Sequence, residues 1–503
     1  MDNSTGLTLT RKEETNELID YILSLFLVYG LYLIGIPELR LGIDGTDVSG
    51  YTHAFADIYF TQTGSCPFYV ALPICFLYCL LVTVYVHRRY LATGQKIQPL
   101  YLAIGSFYLL FRLIGIFTFP YGHLSYRLPY NDNLYAFGYD GFTLGQRFVS
   151  FFNTFTMTYT AVAFFAYAKT YKGKLADWGF KGVLYLIIGL AVLAIIISLA
   201  TEWPKVTNNI MSLFSRDYVK DVSIQSYTNH RNYFGLILLL GEIALVLLNE
   251  DHFHWWHYLL DCLFLLSTLV IYSRTPLFVG IGLLFFSLLF HTLKSKKNKS
   301  REFLFDLVNW GLLLIFALVL LILYKENPVI HQNFRHLFDK TTINSRSELR
   351  SFASALYGSD IRGILFGYDY VPYHNLITSF HNAAGYSDNY FSSHCGWLDL
   401  IFTNGVTGFI FLALVMLYLV LECLYLFLKG KRNYTGLTLL SVLVMLSVYS
   451  FFEPRIIFNL VTESPFTYFI PILVFFPLPY FLKKDGIKED ESLLYFKKPG
   501  TVK

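Results

Sequence analysis

The sequence predicts an all-α, polytopic membrane protein with about twelve transmembrane helices. Of its 503 residues, 55% are hydrophobic and 15% are charged, which is more apolar surface than one soluble core can bury. The apolar residues fall in stretches of about 17 to 25, the length that an α-helix needs to cross a bilayer. The alternating pattern of barrel strands is absent, so we interpret the stretches as helices.

The apolar stretches place the spans in order along the chain. They are residues 17–37, 67–86, 98–119, 146–168, 180–200, 232–249, 257–273, 275–293, 303–324, 405–428, 435–452 and 466–482. With this number of spans, the basic clusters all fall on one side of the membrane: 87–89, 169–174, 294–301, 429–432 and 483–484. Lys and Arg in short loops are retained in the cytoplasm, so both termini are predicted to be cytoplasmic.

The long connections lie on the outward-facing side, and residues 325–395, between predicted helices nine and ten, form the largest of them. A loop of this length usually carries function. Its segment SRSELRSFASALYG (345–358) predicts an amphipathic helix lying on the membrane. We treat residues 1–503 as a single integral membrane domain with this large extracytoplasmic loop.

Composition narrows the classes of function. The net charge of +4 is small and gives no support to nucleic-acid binding. The six cysteines form neither a CxxC pair nor a zinc spacing, and the histidines are not spaced as in a zinc protease, so we predict no metal site.

Four arginines on the outward-facing side are the first candidates for function. Arg231 begins a span in NHRNYFG, Arg274 lies in the turn YSRTPLF, and Arg346 and Arg350 lie in the large loop. A guanidinium stays charged and offers a fork of donors that matches phosphate oxygens. The alternative, left open for each arginine, is that it binds lipid headgroups.

His394 is the second candidate. It precedes the apolar stretch CGWLDLIFTNGVTGFIF, which Gly405 and Gly408 interrupt. This pattern predicts a short helix entering the membrane face, a glycine turn and then the tenth span, with His394 at the floor of an outer cavity. There a histidine can accept the proton of an attacking hydroxyl. The alternative is an interfacial histidine bonded to a loop carbonyl.

Other polar residues have weaker assignments. His374 and His381 can bind sugar hydroxyls or face water, and we favour water. Glu453 and Arg455, in FFEPRIIF, either line the same cavity or form a local ion pair.

Three ionisable residues fall within predicted spans: Arg112, Glu242 and Asp261. Ionisable groups in hydrocarbon are costly, so we expect each to pair with a group on another helix.

The order of these motifs over residues 225–428 resembles the O-antigen ligase and Wzy-type polysaccharide polymerase superfamily. RNYFG opens one helix, YSRTPL follows two helices later, SRSELR begins a large outer loop, and H-x10-G-x2-G comes last. The ten-residue spacing from His394 to Gly405 is slightly longer than is usual in that superfamily.

The resemblance implies a GT-C-like, metal-independent glycosyltransferase without a cofactor, using an undecaprenyl-diphosphate-linked oligosaccharide as donor. It implies that Arg231 and Arg274 hold the diphosphate and that His394 activates the acceptor hydroxyl. Arg346 and Arg350 are further candidates for donor or glycan contacts. A single displacement would invert the anomeric carbon.

The acceptor decides between related activities. We favour a repeat-unit polymerase of O-antigen, capsule or exopolysaccharide over an O-antigen ligase or a protein O-oligosaccharyltransferase, because long aromatic-rich outer loops suit a growing polysaccharide. The expected site is the outer face of a bacterial cytoplasmic membrane, with a flippase and a chain-length regulator as partners. A lipid-linked oligosaccharide flippase is the alternative of another class, although the arginines and His394 cluster at one face.

Overall fold

The computed structural model describes the chain in separate ranges and shows a mostly helical protein. The described residues are chiefly 99–119, 122–130, 132–140, 174–214, 222–228, 231–251, 254–297, 302–328, 350–357, 361–368, 395–430, 433–453 and 477–485, with short pieces between them. Within these ranges, six helices are long and apolar enough to cross a membrane, as expected of a helical membrane protein.

The secondary structure follows the predicted spans closely wherever it is described. The elements are α1 (Pro99–Thr118), β1 (His123–Tyr130), β2 (Asn133–Asp140), α2 (Lys174–Thr201), α3 (Trp203–Phe214), α4 (Arg231–Asp251), α5 (Trp255–Val270), α6 (Arg274–Lys297), α7 (Glu302–Glu326), α8 (Ile361–Phe366), α9 (Gly396–Lys429), α10 (Asn433–Phe452) and α11 (Pro477–Lys484). Eight predicted spans coincide with α1, α2, α4, α5, α6, α7, α9 and α10. The predicted spans 17–37, 67–86 and 146–168 lie wholly or almost wholly outside the described residues, and 466–482 is described only in part, with its last residues in α11. The number of spans and the side of the termini therefore stay predictions.

Helix α4 occupies the centre of the bundle. Every residue from Tyr233 to Glu250 is buried, because α2, α5, α6 and α10 all pack against this helix. An apolar surface on all sides is typical of such a central helix. At Gly241 a β-carbon would meet Phe264 of α5 and Ala191 of α2, so the small residue lets three helices approach closely.

One end of α4 is tied to four other helices by charged and hydroxyl side chains. Thr435 and Thr438 of α10 each donate a 2.6 Å hydrogen bond to the carboxylate of Glu250. Lysines of three other helices pair with the last two residues of α4: Lys181 of α2 and Lys484 of α11 with Asp251, and Lys294 of α6 with Glu250. We call this side of the bundle the lysine end, and the opposite side, where α4 and α6 begin, the arginine end. Lys294 and Lys484 belong to two of the basic clusters that the sequence places on one side of the membrane. In the structure both lysines lie at the lysine end of the bundle.

Helix α3 is amphipathic and follows α2 directly at the arginine end. Its buried face carries Val206 and Asn209, whereas Trp203 and Met211 are exposed. An exposed face with a tryptophan is typical of a helix that lies in the membrane–water interface. The Asn209 amide donates to the carbonyls of Val222 and Val270, so α3 also fastens the chain that leads into α4.

Glu202, between α2 and α3, binds the same segment of chain that leads into α4. Its carboxylate accepts hydrogen bonds from the backbone N–H groups of Gln225 and Ser226 at 3.0 and 2.7 Å and from the Lys205 ammonium at 2.7 Å. Partial burial disfavours the charged form, but these hydrogen bonds outweigh it, so the pKa of Glu202 lies below its usual value. The carboxylate therefore stabilises the fold in its ionised form.

A two-stranded hairpin departs from the all-α prediction. Strands β1 and β2 pair antiparallel from His123↔Asp140 to Tyr130↔Asn133, within a stretch that the sequence indicates only as an outer loop. Alternating exposure along β1 shows the two-residue period of a strand with one buried face. Asp132 takes a positive φ of 63° in the turn, a conformation that Asp tolerates better than most residues.

An aromatic cluster joins this hairpin to part of the large loop. The rings of Phe352 and Phe380 stack with centroids 3.4 Å apart, and Tyr130 and Phe137 pack edge-on against Phe352. Residues 350–357 are helical, which confirms a helix in the predicted amphipathic segment. Its apolar face packs against the hairpin, whereas the sequence indicates packing on the membrane.

Helix α7 lies at the edge of the bundle, with 11% of its spanning residues buried. Polar contacts hold both of its ends. At the lysine end, His291 of α6 lies 2.7 Å from the Asp306 carboxylate. At the arginine end, the amide of Asn327, directly after α7, donates to the carbonyl of Ser212 in α3.

Helix α9 is broken at Gly405, where φ is 68° and ψ is −176°. This confirms the glycine turn predicted from the sequence. A β-carbon at Gly405 would overlap with the backbone of Leu365 and Gly367, because α8 packs into the break. Only glycine combines this conformation with such a close approach.

Arg112 of α1 satisfies carbonyl groups beside the break. Its Nη1 donates to the carbonyl of Thr403 at 2.8 Å and to that of Phe366 at 3.4 Å, and the side chain is buried. The partner expected from the sequence is therefore found in main-chain oxygens. Broken helices are tolerated at membrane depth when other groups satisfy the freed backbone in this way.

We expect Gly405→Ala to lower the free energy of unfolding by about 2–4 kcal/mol, because alanine would be both strained at positive φ and in collision with backbone. The measurement is thermal unfolding of the purified protein in detergent. Gly311→Ala in α7 is the matched control, since nothing lies within 4 Å of a β-carbon there and alanine favours a helix. Equal effects of the two substitutions would show that the break is not required.

Glu202→Gln should reduce stability at neutral pH by about 1–2 kcal/mol, since it removes the charge from three hydrogen bonds. Because the pKa of Glu202 is lowered by folding, its contribution is complete above the unfolded pKa and is lost as the pH falls through the folded pKa. The difference in Tm between wild type and variant should therefore shrink as the pH falls below about 4. Glu326→Gln, at an exposed position outside the connection between α2 and α3, serves as the control and should change the Tm at neutral pH only slightly.

Candidate functional site

The first residues of α4 and α6 come together at the arginine end. Gly235, one turn after Arg231, packs so closely that a β-carbon would overlap with the side chain of Ser273 and lie 2.9 Å from Pro276. Ser273 directly precedes Arg274. Both arginines are half-buried, so two of the predicted site residues begin adjacent helices on the same side of the bundle.

A tight turn presents Arg274. Residues 271–273 connect α5 to α6, and Tyr272 adopts a positive φ of 55°. The Ser273 N–H donates to the carbonyl of Thr268, and the Tyr272 hydroxyl lies 2.5 Å from that of Ser212 in α3. The turn that the sequence places around Arg274 is therefore a fixed structure, held from two sides.

Glu453 joins three elements at this end. Its carboxylate accepts a long hydrogen bond of 3.4 Å from the hydroxyl of Thr275, next to Arg274. Its backbone carbonyl accepts the N–H of Gly396, the first residue of α9, at 3.0 Å. The side chain is 4% exposed, so its carboxylate belongs to the interior of the arginine end.

Arg350 reaches the same end from the large loop. Its Nη2 donates to the carbonyl of Phe451 at 2.9 Å, and its guanidinium lies 5.7 Å from the centre of the Phe451 ring. Phe451 precedes Glu453 by two residues. Arg350 therefore adds a permanent positive charge beside the end of α10.

Buried polar groups shape the chain that enters α9. The Asp399 carboxylate accepts the backbone N–H of Ser393 at 2.9 Å, and the Ser393 hydroxyl donates to the carbonyl of Cys395 at 3.2 Å. Ser393, Cys395 and Asp399 are at most 3% exposed. A carboxylate in the first turn also interacts favourably with the helix dipole. Sequence reasoning missed Asp399, because a single Asp after a histidine has no distinctive spacing.

The remaining predicted site residues lie outside the described part of the chain: His394, Arg346, His374, His381 and Arg455. The structure thus places Arg231, Arg274, Arg350 and Glu453 at the arginine end of the bundle, and the described neighbours of His394 in sequence lie at the start of α9. Within the described ranges, no three His, Cys, Asp or Glu side chains come together as metal ligands.

Two buried carboxylates lie in the interior of the bundle, away from this site. Glu242 of α4 and Asp261 of α5 are 4% and 2% exposed. Glu242 packs against Gly280 of α6. Among the described residues, the Oε2 of Glu242 and both carboxylate oxygens of Asp261 have no hydrogen-bond partner. The expected pairing with a group on another helix is therefore not found for these two residues in the described part of the chain.

Comparison of the chain with models of protein families, with characterised proteins and with solved structures finds no match. Function is therefore inferred from residue chemistry and from the geometry of the arginine end.

We expect Asp399→Ala to open the segment before α9. Loss of a buried hydrogen bond to a charged acceptor is worth about 1.5–3 kcal/mol, so the labelling rate of the Cys395 thiol by a membrane-permeable maleimide should rise about 10- to 100-fold. The background is a variant that keeps Cys395 as its sole cysteine.

The matched control for this experiment is a variant that keeps only Cys423, which is buried further along α9. Its labelling should be unchanged by Asp399→Ala. An unchanged rate at Cys395 would mean that Asp399 does not hold the segment, and acceleration at both thiols would indicate general unfolding.

Proposed function

We propose that the chain is a polysaccharide repeat-unit polymerase. It would transfer a glycan from undecaprenyl diphosphate to a sugar hydroxyl at the outer face of a bacterial cytoplasmic membrane. Both termini are cytoplasmic in this proposal, and the arginine end faces outward. The active site lies where α4, α6 and α9 begin and α10 ends.

The proposal rests on one observation: segments that are far apart in sequence converge at one end of the bundle. Arg231, Arg274 and Arg350 are brought to the arginine end by three separate elements, and the chain on either side of His394 enters α9 there. Such a concentration of permanent positive charge suits a diphosphate at the membrane surface. Glu453, buried at the same end of the bundle, offers an acceptor for a sugar hydroxyl or a partner for a guanidinium.

The proposed reaction is a single displacement. The acceptor hydroxyl oxygen attacks the anomeric carbon and passes its proton to His394, while the bond from that carbon to the diphosphate oxygen breaks. The diphosphate leaves with the bonding electrons, and Arg231 and Arg274 stabilise its charge. Attack opposite the leaving group inverts the anomeric carbon, and the residues named require no metal or other cofactor.

The acceptor distinguishes the closest alternatives. A growing polysaccharide as acceptor makes the protein a polymerase, a lipid makes it an O-antigen ligase, and a protein side chain makes it an O-oligosaccharyltransferase. The length and aromatic content of the predicted outer loops, of which 325–395 is the largest, suit a growing polysaccharide, and this favours the polymerase. A flippase that supplies the donor and a regulator of chain length are the expected partners.

The test is extension of lipid-linked repeat units by purified protein. His394→Ala should leave single repeat units on the lipid and reduce extension by about 10²- to 10⁴-fold, the usual contribution of a general base. Arg231→Lys and Arg274→Lys should each slow extension, because lysine keeps the charge but loses the fork. His254→Ala, an exposed histidine before α5, is the control and should extend normally.

Each alternative has its own outcome in this experiment. Long polymer from the His394→Ala protein would refute the general-base role. Transfer to a lipid or protein acceptor, without chain growth, would identify the ligase or the O-oligosaccharyltransferase.

A second candidate, a transporter of lipid-linked oligosaccharide, is favoured by the buried carboxylates Glu242 and Asp261. Ionisable residues in the interior of a bundle commonly mark the path of a proton or an ion through a membrane. Movement of the lipid across a liposome bilayer without extension, lost in Glu242→Gln and Asp261→Asn, would support this candidate in place of the polymerase.

A further inference from the structure

A groove between α9 and α10 opens at the surface of the bundle. It has a volume of about 400 Å³. Trp397, Phe451 and Phe452 line one end, and Met416, Val420 and Leu443 line the other. The indole N–H of Trp397 is already bonded to the carbonyl of Ser447, so the groove offers an almost wholly apolar wall.

The groove runs from the arginine end into the hydrocarbon layer. Trp397 is the second residue of α9, and Phe452 is the last residue of α10. Leu443 precedes Phe452 by nine residues in one helix, or about 14 Å. This is about half of the thickness of the hydrocarbon layer, so the groove starts at the proposed active site and ends near mid-membrane.

The opening faces outward from the bundle. Val444 and Val448 are 48% and 41% exposed, and Phe451 is 53% exposed. At the surface of a membrane-spanning helix such side chains meet lipid. A hydrocarbon chain can therefore enter the groove sideways from the bilayer, without passing through water.

The size of the groove fits one chain. A volume of about 400 Å³ spread over about 14 Å gives a mean cross-section of about 30 Å². This is enough for one hydrocarbon chain, which can lie along the groove on the side that opens to the bilayer. A polyprenyl lipid carries a single such chain.

A positive charge marks the outer end. The Arg350 guanidinium lies 5.7 Å from the centre of the Phe451 ring and donates to the Phe451 carbonyl. Cationic side chains at the end of an apolar groove complement a lipid whose headgroup is an anion.

We propose that this groove binds the first part of the isoprenoid chain of a polyprenyl phosphate lipid, with the phosphate beside Arg350. The assignment rests on the proposed donor and adds where its chain lies. In this proposal Val444 and Val448 contact the isoprenoid chain, and Arg350 binds the phosphate.

The test is direct binding of undecaprenyl phosphate to the purified protein, followed by photocrosslinking with a photoreactive analogue. Val448→Trp would fill the groove and should weaken binding at least tenfold. Val444→Trp, from a second position in the lining, should do the same. Leu414→Trp is the matched control: it is 54% exposed on α9 and lies outside the groove, so it should bind as wild type.

Arg350→Gln tests the contribution of the phosphate to binding separately from that of the hydrocarbon chain. It should weaken binding of undecaprenyl phosphate and leave binding of undecaprenol, which has no phosphate, unchanged. Dioleoyl phosphatidic acid, an anionic lipid with two chains, should compete poorly.

The outcomes are distinct. Wild-type binding by both groove variants, or competition by phosphatidic acid as strong as by undecaprenyl phosphate, would overturn the assignment. Binding in the groove without extension of repeat units would retain the assignment and refute the polymerase. Extension that persists in Val448→Trp and Val444→Trp with unchanged donor affinity would retain the polymerase and refute the groove.

Discussion

The complete burial of α4 is the constraint on which the rest of the bundle depends. Ionised groups along a helix that is surrounded by other helices are costly, and three of the four acidic and basic residues of α4 lie at its two ends, with Glu242 as the exception. At the lysine end, Glu250 and Asp251 draw four neighbouring helices together. At the other end, Arg231 lies where α4 emerges, next to the start of α6. The same packing that buries the helix thus collects positive charge at one surface.

The candidate site depends on a second constraint, the break in α9. Because the helix turns at Gly405, its first nine residues form a separate short segment with its own direction. Arg112 and α8 fill the space that the break creates. Asp399 then fixes the chain before the segment. Backbone geometry, and not side-chain chemistry alone, therefore sets where the residues around Cys395 lie.

Much of the helical fold in the described ranges could be predicted from the sequence. The spans in the described ranges and the turn at Gly405 follow from long apolar runs and from a glycine pair within one of them. Strands β1 and β2 were missed because a hairpin of eight-residue strands between membrane helices has too short a pattern to stand out. The backbone partners of Arg112 and the Asp399 contact could not be predicted, since both depend on tertiary approach between distant segments. Five of the predicted site residues, His394 among them, fall outside the described chain, so their roles stay predictions.

Helix α7 has a consequence for the surrounding bilayer. It contacts the bundle along one edge, yet His291 and Asn327 secure its two ends. Its spanning segment of 21 residues measures about 32 Å, close to the hydrocarbon thickness of an average membrane. Because both ends are held, this helix has little freedom to tilt when the bilayer is thicker or thinner. Hydrophobic mismatch must then be absorbed by the lipids, which would stretch or compress locally around α7.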